Sequence, residues 1–311
     1  MAADRRLLVQ ISRLYYEENM TQQQIANKLN VSRMSVSRSI QKSKDENIVK
    51  ISIDYRGTYP DLEERLVRKY GLKEAVIVES VNDKSLKEQV ARAAAYYVEN
   101  CIRPDSTIAV GWGTTIRKVA DFVSETSKRN LLFTPIIGGH GKSELEIHAT
   151  SLAFYLAKKT NSTPLYLLAP AFVNSVAEKE LLLKDSYIQA VLRQTSEANY
   201  ALFSLGCPLT DTTGIQNSGY FSASDLEQLH MEQAVCDLVS ILFLNRSGKQ
   251  CCKSITDRSI GILPEALKKI PVKICVVAGE GKREAVKAAM MENYVDVLVT
   301  DHETGTFLSK Q

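Results

Sequence analysis

Residues 21–38 read TQQQIANKLNVSRMSVSR, and this stretch decides the fold of the amino-terminal part of the chain. Thr21 can accept a hydrogen bond from the backbone N–H of Gln24 while the Gln24 side chain returns one, a capping box that predicts the start of a helix. Asn30 tolerates the left-handed backbone of a sharp turn, and Ser32 can cap the next helix. The stretch therefore predicts two short helices joined by a tight turn.

The helix predicted after Ser32 has an apolar side and a polar outer side. Val36 and Ile40 have the spacing that faces a core. A helix that enters the major groove of DNA needs short polar residues for close approach and arginines that match guanine edges or phosphates. We therefore expect DNA contacts from Thr21, Gln22, Ser32, Arg33, Met34, Ser35, Ser37 and Arg38. A generic three-helix bundle with a polar third helix is the alternative interpretation.

The flanks of this stretch complete a small domain. The apolar spacing from Leu7 to Tyr15 predicts a first amphipathic helix that ends near Glu18. Beyond the third helix, alternating apolar and polar residues from Val49 to Tyr55 predict a strand that would form a β-wing. The pattern breaks at the Gly-Thr-Tyr-Pro sequence that starts at Gly57. We expect a winged helix-turn-helix domain over residues 1–57 and a larger domain over residues 58–311.

Charge is distributed unevenly between these two parts. Residues 1–57 contain ten Lys or Arg against six Asp or Glu, whereas the remainder contains 29 against 30. The basic excess of the chain, formally +3, thus lies in the predicted small domain. A small basic domain followed by a larger, nearly neutral domain is typical of a nucleic-acid-binding module with a separate second domain.

The bulk composition favours an ordinary globular protein. A chain of 311 residues exceeds the usual size of one hydrophobic core. It contains no run of about 18 apolar residues and no signal-peptide core, so we expect a cytoplasmic protein without a membrane partner. The six cysteines show no C-x-x-C spacing, and the four histidines include no H-E-x-x-H or similar cluster. We therefore predict no metal, no cofactor and no disulfide.

The larger domain alternates helical segments with short apolar runs. The runs predicted as strands are 75–78, 107–110, 131–137, 165–168, 201–205, 273–278 and 295–300. Such alternation favours an α/β fold with a doubly wound, mainly parallel sheet covered by helices on both faces. Ligands bind such sheets beyond the carboxyl ends of the strands, where helix N-termini attract anions. The turns after the strands are therefore the candidate sites.

Three glycine-containing turns follow predicted strands. The Gly-Trp-Gly-Thr-Thr turn at 111–115 offers close backbone approach and two hydroxyl groups, with a plain capped turn as the alternative. The turn at 138–143 contains Gly-Lys-Ser, but Ile136 stands where a nucleotide P-loop needs its first glycine. In the turn at 279–283, Lys282 or Arg283 could neutralise a phosphate, with a solvated helix start as the alternative.

Taken together, several motifs resemble the SorC-type sugar-responsive transcription regulators, a group that includes the Bacillus-type deoxyribonucleoside regulators. The motifs are Leu14-Tyr15-Tyr16, the capped second helix from Thr21, Val31-Ser32-Arg33 with Val36-Ser37-Arg38, Gly111-Trp112-Gly113-Thr114-Thr115, Pro135-Ile136-Ile137-Gly138-Gly139, Gly219-Tyr220-Phe221, Asp257-Arg258 and Leu298-Val299-Thr300-Asp301. The resemblance runs nearly end to end. It implies a sensor domain related in fold to ribose-phosphate isomerase and glucosamine-phosphate deaminase, in a protein that forms dimers or tetramers.

The resemblance also implies roles for individual positions. A phosphate would be held by Gly113, Thr114 and Thr115, in the motif that starts at Gly111, and the anion site would be completed by Arg283. The adjoining wall would be shaped by Gly138 and Gly139. Sugar hydroxyl groups would be contacted by His148 and Asp237. The chain departs from the family pattern at Cys236 and Glu280, where glycine is usual, and at Arg283, where lysine is usual. Ile137 supplies no amine for a Schiff base, so we expect reversible, non-covalent binding.

These features predict a DNA-binding transcription regulator of a carbohydrate-utilisation operon, controlled by a phosphorylated sugar and acting as a homodimer or homotetramer on double-stranded operator DNA. No catalytic residue is predicted. Two alternatives stay open: a DNA-binding protein whose larger domain is an oligomerisation platform with a vestigial pocket, and a sugar-phosphate isomerase-like enzyme.

Overall fold

The computed structural model describes residues 2–49, 58–80, 83–125, 130–210 and 218–311. The chain divides into two compact units, Met1–Arg56 and Gly57–Gln311. The strand predicted from Val49 to Tyr55, and with it the wing, falls mainly on residues 50–57, which lie outside the described residues.

The amino-terminal unit is a bundle of three helices: α1 (Ala2–Tyr16), α2 (Gln22–Leu29) and α3 (Arg33–Asp45). Its core contains the apolar side chains Ile11, Leu14, Ile25, Ala26, Val36 and Ile40. Helix α1 ends at Tyr16, slightly before the predicted end, because Asn19 takes a left-handed conformation (φ 52°) and Met20 N–H donates back to the Leu14 carbonyl at 3.0 Å.

The predicted capping and turn chemistry of residues 21–38 is confirmed. The Thr21 hydroxyl accepts from the Gln24 N–H at 3.3 Å, and the Gln24 side chain accepts from the Thr21 N–H at 2.9 Å. Asn30 is left-handed (φ 52°), and the Ser32 hydroxyl accepts from the Ser35 N–H at 3.1 Å. These local bonds satisfy orphan N–H groups at both helix starts and so set the turn between α2 and α3.

The larger unit alternates helices and strands. Up to its midpoint the elements are α4 (Pro60–Tyr70), β1 (Glu74–Val78), α5 (Asp83–Cys101), β2 (Thr107–Val110), α6 (Thr114–Phe122), β3 (Leu132–Pro135), α7 (Ala149–Lys159), β4 (Thr163–Pro164), α8 (Val176–Leu182), α9 (Ser186–Ser196) and β5 (Tyr200–Phe203). They are followed by β6 (Leu205–Gly206), α10 (Ala223–Met231), β7 (Ala234–Leu238), β8 (Leu242–Asn245), β9 (Gln250–Cys251), α11 (Lys253–Thr256), α12 (Pro264–Lys269), β10 (Val272–Val276), α13 (Arg283–Met291), β11 (Val297–Asp301) and α14 (His302–Lys310). Among the helices of the described residues, none is both long and apolar enough to cross a bilayer.

A seven-stranded parallel sheet organises this unit, in the order β1-β11-β10-β5-β2-β3-β4. Alternate residues of a strand enter different cores. Ile108 and Val110 pack with helices α5, α6 and α7 on one face, whereas Ala109 and Phe203 belong to the core on the other face, which includes residues of α4, α13 and α14. The predicted doubly wound, mainly parallel fold is confirmed.

Two features of the sheets differ from the prediction. A second, antiparallel sheet of four strands, β6-β7-β8-β9, was not predicted, because two of its strands are only two residues long and carry little periodic signal. The strand predicted at 165–168 is wrong, since the paired residues are Thr163 and Pro164. Leu167 instead buries its side chain in a separate small cluster with Ile188 and Val191 of α9.

Gly138 is a position where the fold leaves no room for a side chain. A Cβ atom there would overlap the carbonyl oxygens of Ala169 and Pro170, which are backbone atoms. We expect Gly138→Ala to lower the free energy of unfolding by about 2–3 kcal/mol, because the backbone must shift to relieve the overlap. Urea denaturation followed by the fluorescence of Trp112, the single tryptophan, measures this.

The matched control is Gly281→Ala. A Cβ atom at residue 281 would meet no heavy atom within 4 Å, so its free energy of unfolding should stay within about 0.5 kcal/mol of wild type. Equal stability of the two variants would contradict the steric explanation for Gly138.

Candidate functional site

A cavity of about 410 Å³ opens at the carboxyl ends of the parallel strands β2, β5 and β10. Its walls include Lys87, Trp112, Gly113, Thr114, Thr115, Ile147, Ser204, Leu205, Gly206, Cys207, Thr210, Asp237, Val239, Gly281 and Lys282. The cavity lies where doubly wound sheets bind ligands, since turns that follow neighbouring parallel strands converge at one edge.

One wall of the cavity is the amino terminus of α6. Gly113 precedes the helix with φ 110°, a backbone conformation that favours glycine, and Thr114 and Thr115 form the first turn. Lys87 of α5 reaches across and donates a hydrogen bond from its ammonium group to the Thr114 hydroxyl. Unpaired N–H groups, the helix dipole, two hydroxyls and a cation therefore meet at one point, which is an arrangement that attracts a phosphate-like anion.

A second wall is the segment Gly279–Lys282, which we call the cavity loop. It follows β10, and Gly279 has a positive φ of 89°. Gly281 and Lys282 line the cavity, and the Cys207 thiol donates to the Gly281 carbonyl at 2.8 Å. Lys282 thus brings a second cation to the cavity from another strand.

The third wall is a strained turn that holds Asp237. Val239 and Ser240 connect β7 to β8 with φ values of 53° and 61°, and a β-branched valine in that region is sterically unfavourable. The Ser240 N–H donates to Asp237 at 2.6 Å, and the Ser240 hydroxyl lies 3.4 Å from the other carboxylate oxygen. Asp237 is 2% exposed and offers the cavity an acceptor suited to ligand hydroxyls.

Behind this wall lies His140. Its ring stacks on Trp112 with 3.7 Å between centroids, and its Nε2 atom lies 3.0 Å from the Ser240 hydroxyl oxygen. Burial, together with repulsion from His148, lowers the pKa of His140 from its ordinary value to about 3. The imidazole is therefore neutral at physiological pH and supports Ser240 and Trp112 from behind.

In the amino-terminal unit the predicted DNA-contacting residues form an outer surface. Val36 and Ile40 are buried, while Arg33, Ser35 and Arg38 are exposed. Met34 is 62% exposed, an unusual value for a large apolar side chain. A groove on this unit brings three of the predicted residues together with five neighbours, since it is lined by Tyr15, Tyr16, Asn19, Met20, Thr21, Gln22, Gln23 and Arg33.

Comparison with known proteins agrees with both parts of this description. The family described as "Putative sugar-binding domain" matches residues 58–308, and sigma-70 region 4, a DNA-binding helix-turn-helix module, matches residues 10–43. The chain belongs to the SorC-type sugar-binding transcriptional regulators.

Two relatives and two solved structures illustrate how far the match to the SorC-type proteins extends. The chain is 29% identical to the deoxyribonucleoside regulator of Bacillus subtilis (97% of this chain, 96% of the relative) and 28% identical to the sorbitol operon regulator of Klebsiella pneumoniae (99% and 98%). The crystal structure of full-length SorC from Klebsiella pneumoniae superposes with a TM-score of 0.77 at 25% identity over 98% of both chains. A DeoR family transcriptional regulator from Listeria monocytogenes gives 0.73 at 30% identity over 80% of this chain and 98% of that one.

The structure brings four of the predicted effector residues of this SorC-type chain to the cavity wall: Gly113, Thr114, Thr115 and Asp237. Gly111 lies just behind, where a Cβ atom would come within 2.8 Å of the Phe203 Cβ. The wall could not form with a larger residue at position 111.

The other predicted effector residues stand further back from the cavity. Gly138 and Gly139 donate their backbone N–H groups to Ile260 and Ala169, each at 2.9 Å. His148 lies 3.2 Å from the Ser143 carbonyl, and its neighbour Ile147 reaches the wall instead. Arg283 forms ion pairs with Glu280 at 3.3 Å and Glu303 at 3.0 Å, and its neighbour Lys282 lines the cavity instead.

Lys87 is a charged cavity residue that sequence reasoning missed. It precedes Thr114 by 27 positions and lies on the face of α5 that packs beside α6. A lysine in an amphipathic helix gives no local signal of this role, because the contact is tertiary. The sequence allows either Lys282 or Arg283 at the anion site, and the ion pairs of Arg283 with Glu280 and Glu303 distinguish the two.

Buried His140 makes stability depend on pH. The folded-state pKa of about 3 lies below the ordinary value of 6.5, so protonation favours the unfolded chain. The free energy of unfolding should therefore fall as the pH drops from about 6.5 towards 3, by at most about 1.4 kcal/mol per pH unit from this group. Urea titrations between pH 7 and pH 4.5 measure the slope.

His140→Gln should be less stable at pH 7, yet show a shallower decline of stability on acidification. The exposed His230→Gln is the matched control and should keep the wild-type slope. Parallel curves for wild type and His140→Gln would show that His140 takes up its proton without unfolding.

Proposed function

We propose that this protein regulates transcription of a carbohydrate-utilisation operon and that a phosphorylated sugar, bound reversibly in the cavity, controls its affinity for operator DNA. The observation that carries the proposal is the meeting of Thr114 and Thr115, at the start of α6, with Lys87, Lys282 and Asp237 in one cavity. Hydroxyls, helix N–H groups and cations suit a phosphate, and a buried carboxylate suits the hydroxyl groups of a sugar.

The size and polarity of the cavity support a sugar phosphate. A volume of about 410 Å³ is at the lower end of the range for small-molecule sites. Its polar groups lie on separate walls, so a ligand must present an anion on one side and hydroxyl groups on another. The two named relatives regulate deoxyribonucleoside and sorbitol genes, which fits a carbohydrate ligand for this chain.

We infer that the cavity binds its ligand without catalysing a reaction. A proton-transfer enzyme needs an acid and a base that both reach the substrate. Here His140 lies behind Trp112 and shares Ser240 with Asp237, so the histidine and the carboxylate hold the same hydroxyl rather than opposite sides of a ligand. Ile137 is buried in the core, and its position offers no amine for covalent capture.

We further propose that the protein acts as a homodimer or homotetramer. A helix-turn-helix protein reads two half-sites whose spacing mirrors the symmetry of the protein. A ligand that favours one arrangement of the subunits would change that spacing and hence operator affinity.

The ligand proposal is tested by calorimetric titration of the full chain with paired phosphorylated and unphosphorylated sugars. A phosphorylated sugar should bind and its unphosphorylated partner should not. Thr114→Ala combined with Thr115→Ala should raise the dissociation constant by at least about ten-fold, since two charge-assisted hydrogen bonds are lost.

Thr150→Ala is the matched control for this double variant. Thr150 occupies the same place in the first turn of α7 as Thr115 does in α6, but its hydroxyl donates to the Leu167 carbonyl at 3.4 Å. An unchanged dissociation constant in the double variant would refute the phosphate site. Absence of binding by every phosphorylated sugar, with DNA binding intact, would favour the platform with a vestigial pocket.

The DNA proposal is tested on the protein's own upstream region. Arg38→Ala should weaken binding by about ten-fold while leaving ligand binding intact, and if Arg38 contacts a phosphate the salt dependence should fall by about one counterion. The control is Arg13→Ala, because Arg13 is also exposed but pairs with Glu17 at 3.3 Å on α1. Normal operator affinity in Arg38→Ala would remove Arg38 from the interface.

A further inference from the structure

Asp301 joins the cavity loop to the carboxyl-terminal helix. It ends β11, is 1% exposed, and accepts the Gly279 N–H at 2.8 Å with Oδ2. The same carboxylate caps α14, because Oδ1 accepts the Thr304 N–H at 2.8 Å and Oδ2 accepts the Thr304 hydroxyl at 2.9 Å. One buried carboxylate therefore holds both the first residue of the cavity loop and the first turn of α14.

A second link runs between the same two elements. Arg283, directly after the cavity loop, pairs with Glu303 in the first turn of α14 at 3.0 Å. Its guanidinium group also lies 5.8 Å from the centre of the Phe307 ring, one turn further along α14. These contacts join α14 to the end of the cavity loop at two levels.

The other side of α14 is joined to α4. The Tyr70 hydroxyl donates to the Leu308 carbonyl at 3.0 Å, and Lys69 donates to the Leu308 and Ser309 carbonyls at 3.2 Å each. The two helices approach closely at Gly305, where a Cβ atom would lie 3.4 Å from Leu62 of α4.

The start of α4 contacts α14 as well. The Tyr59 ring, one residue before α4, lies 4.3 Å from the His302 ring between centroids. Tyr59 follows the last residue of the amino-terminal unit, Arg56, by three positions. Thus Tyr59, near the start of the larger unit, contacts the helix that Asp301 caps.

From these contacts we infer that Asp301 is a positioning residue that couples the cavity loop, through α14, to Tyr59 and α4. An anion that binds Lys282 in the cavity displaces the loop, the bond from Gly279 pulls on Asp301, and α14 transmits the shift to Tyr59 and α4. This inference rests on the proposed function, since it explains how occupancy of that cavity reaches Tyr59 and α4, at the start of the larger unit. Coupling of this kind acts in both directions, so a change in α4 must alter the cavity loop.

The test is hydrogen–deuterium exchange of the ligand-free full chain, with variants made at both ends of the path. Asp301→Asn keeps a cap on α14 but loses acceptor capacity towards Gly279, and it should raise amide exchange about five-fold in the cavity loop and in residues 59–70. Tyr70→Phe removes one hydroxyl on α4, and exchange should rise in the cavity loop, which it does not touch.

Asp185→Asn is the matched control, since Asp185 caps α9 by accepting the Tyr187 and Ile188 N–H groups at 2.9 Å and has no link to the cavity loop in the described structure. Its effect should stay within α9. The inference is overturned if Tyr70→Phe leaves the cavity loop unchanged, or if Asp301→Asn alters the cavity loop while residues 59–70 keep their wild-type exchange.

A second arm adds inorganic phosphate, compared with chloride at equal ionic strength. In wild type, phosphate should slow exchange in the first turn of α6, in the cavity loop and in residues 59–70. In Asp301→Asn the effect on α6 should persist and the effect on residues 59–70 should disappear; a persisting effect there overturns the coupling. If phosphate leaves α6 unchanged in wild type, the proposed anion site fails, while the ligand-free comparison still decides the coupling.

Discussion

The parallel register of β2, β5 and β10 is the constraint on which the site depends. Val110 of β2 pairs with Leu202 of β5, and Phe203 pairs with Cys275 of β10, so the three strands end at nearly the same level. Neighbouring strands lie about 4.8 Å apart, which places the three following turns within reach of one small ligand. Gly111 permits this convergence, because any side chain there would collide with Phe203.

The antiparallel sheet adds the polar wall that the parallel sheet lacks. Its Val239–Ser240 turn has left-handed backbone at both residues, which costs free energy that the surrounding packing must supply. In this conformation the Ser240 N–H donates a hydrogen bond to the Asp237 carboxylate, and the Ser240 hydroxyl contacts His140. Neutral His140 adds no charge beside the Asp237 carboxylate, which lines the cavity.

The two units divide the chemistry between them. The amino-terminal unit presents Arg33 and Arg38 on an exposed helix whose geometry is determined by local capping bonds. In the larger unit the cavity is lined by two lysines, Lys87 and Lys282, which belong to elements that are distant in sequence. Within the larger unit, α14 joins the cavity loop to Tyr59 and α4.

The features that could be predicted from the sequence alone are those that depend on residues close together in the chain. The capping box at Thr21, the left-handed Asn30 and the outward arginines of α3 were predictable because each rests on residues three or four positions apart. The apolar runs likewise determined the parallel sheet, since strands buried on both faces are apolar throughout. The glycine turn after β2 identified one wall of the cavity for the same local reason.

Only the tertiary structure decided which side chains share the cavity. Lys87 meets Thr114 because α5 packs beside α6, and Lys282 rather than Arg283 faces the cavity because Glu280 and Glu303 hold the arginine away from it. His148, predicted to face the ligand, lies behind Ile147. Which side chains line the cavity depends on helix packing and on ion pairs between residues distant in sequence. The spacing of residues along the chain does not show these contacts.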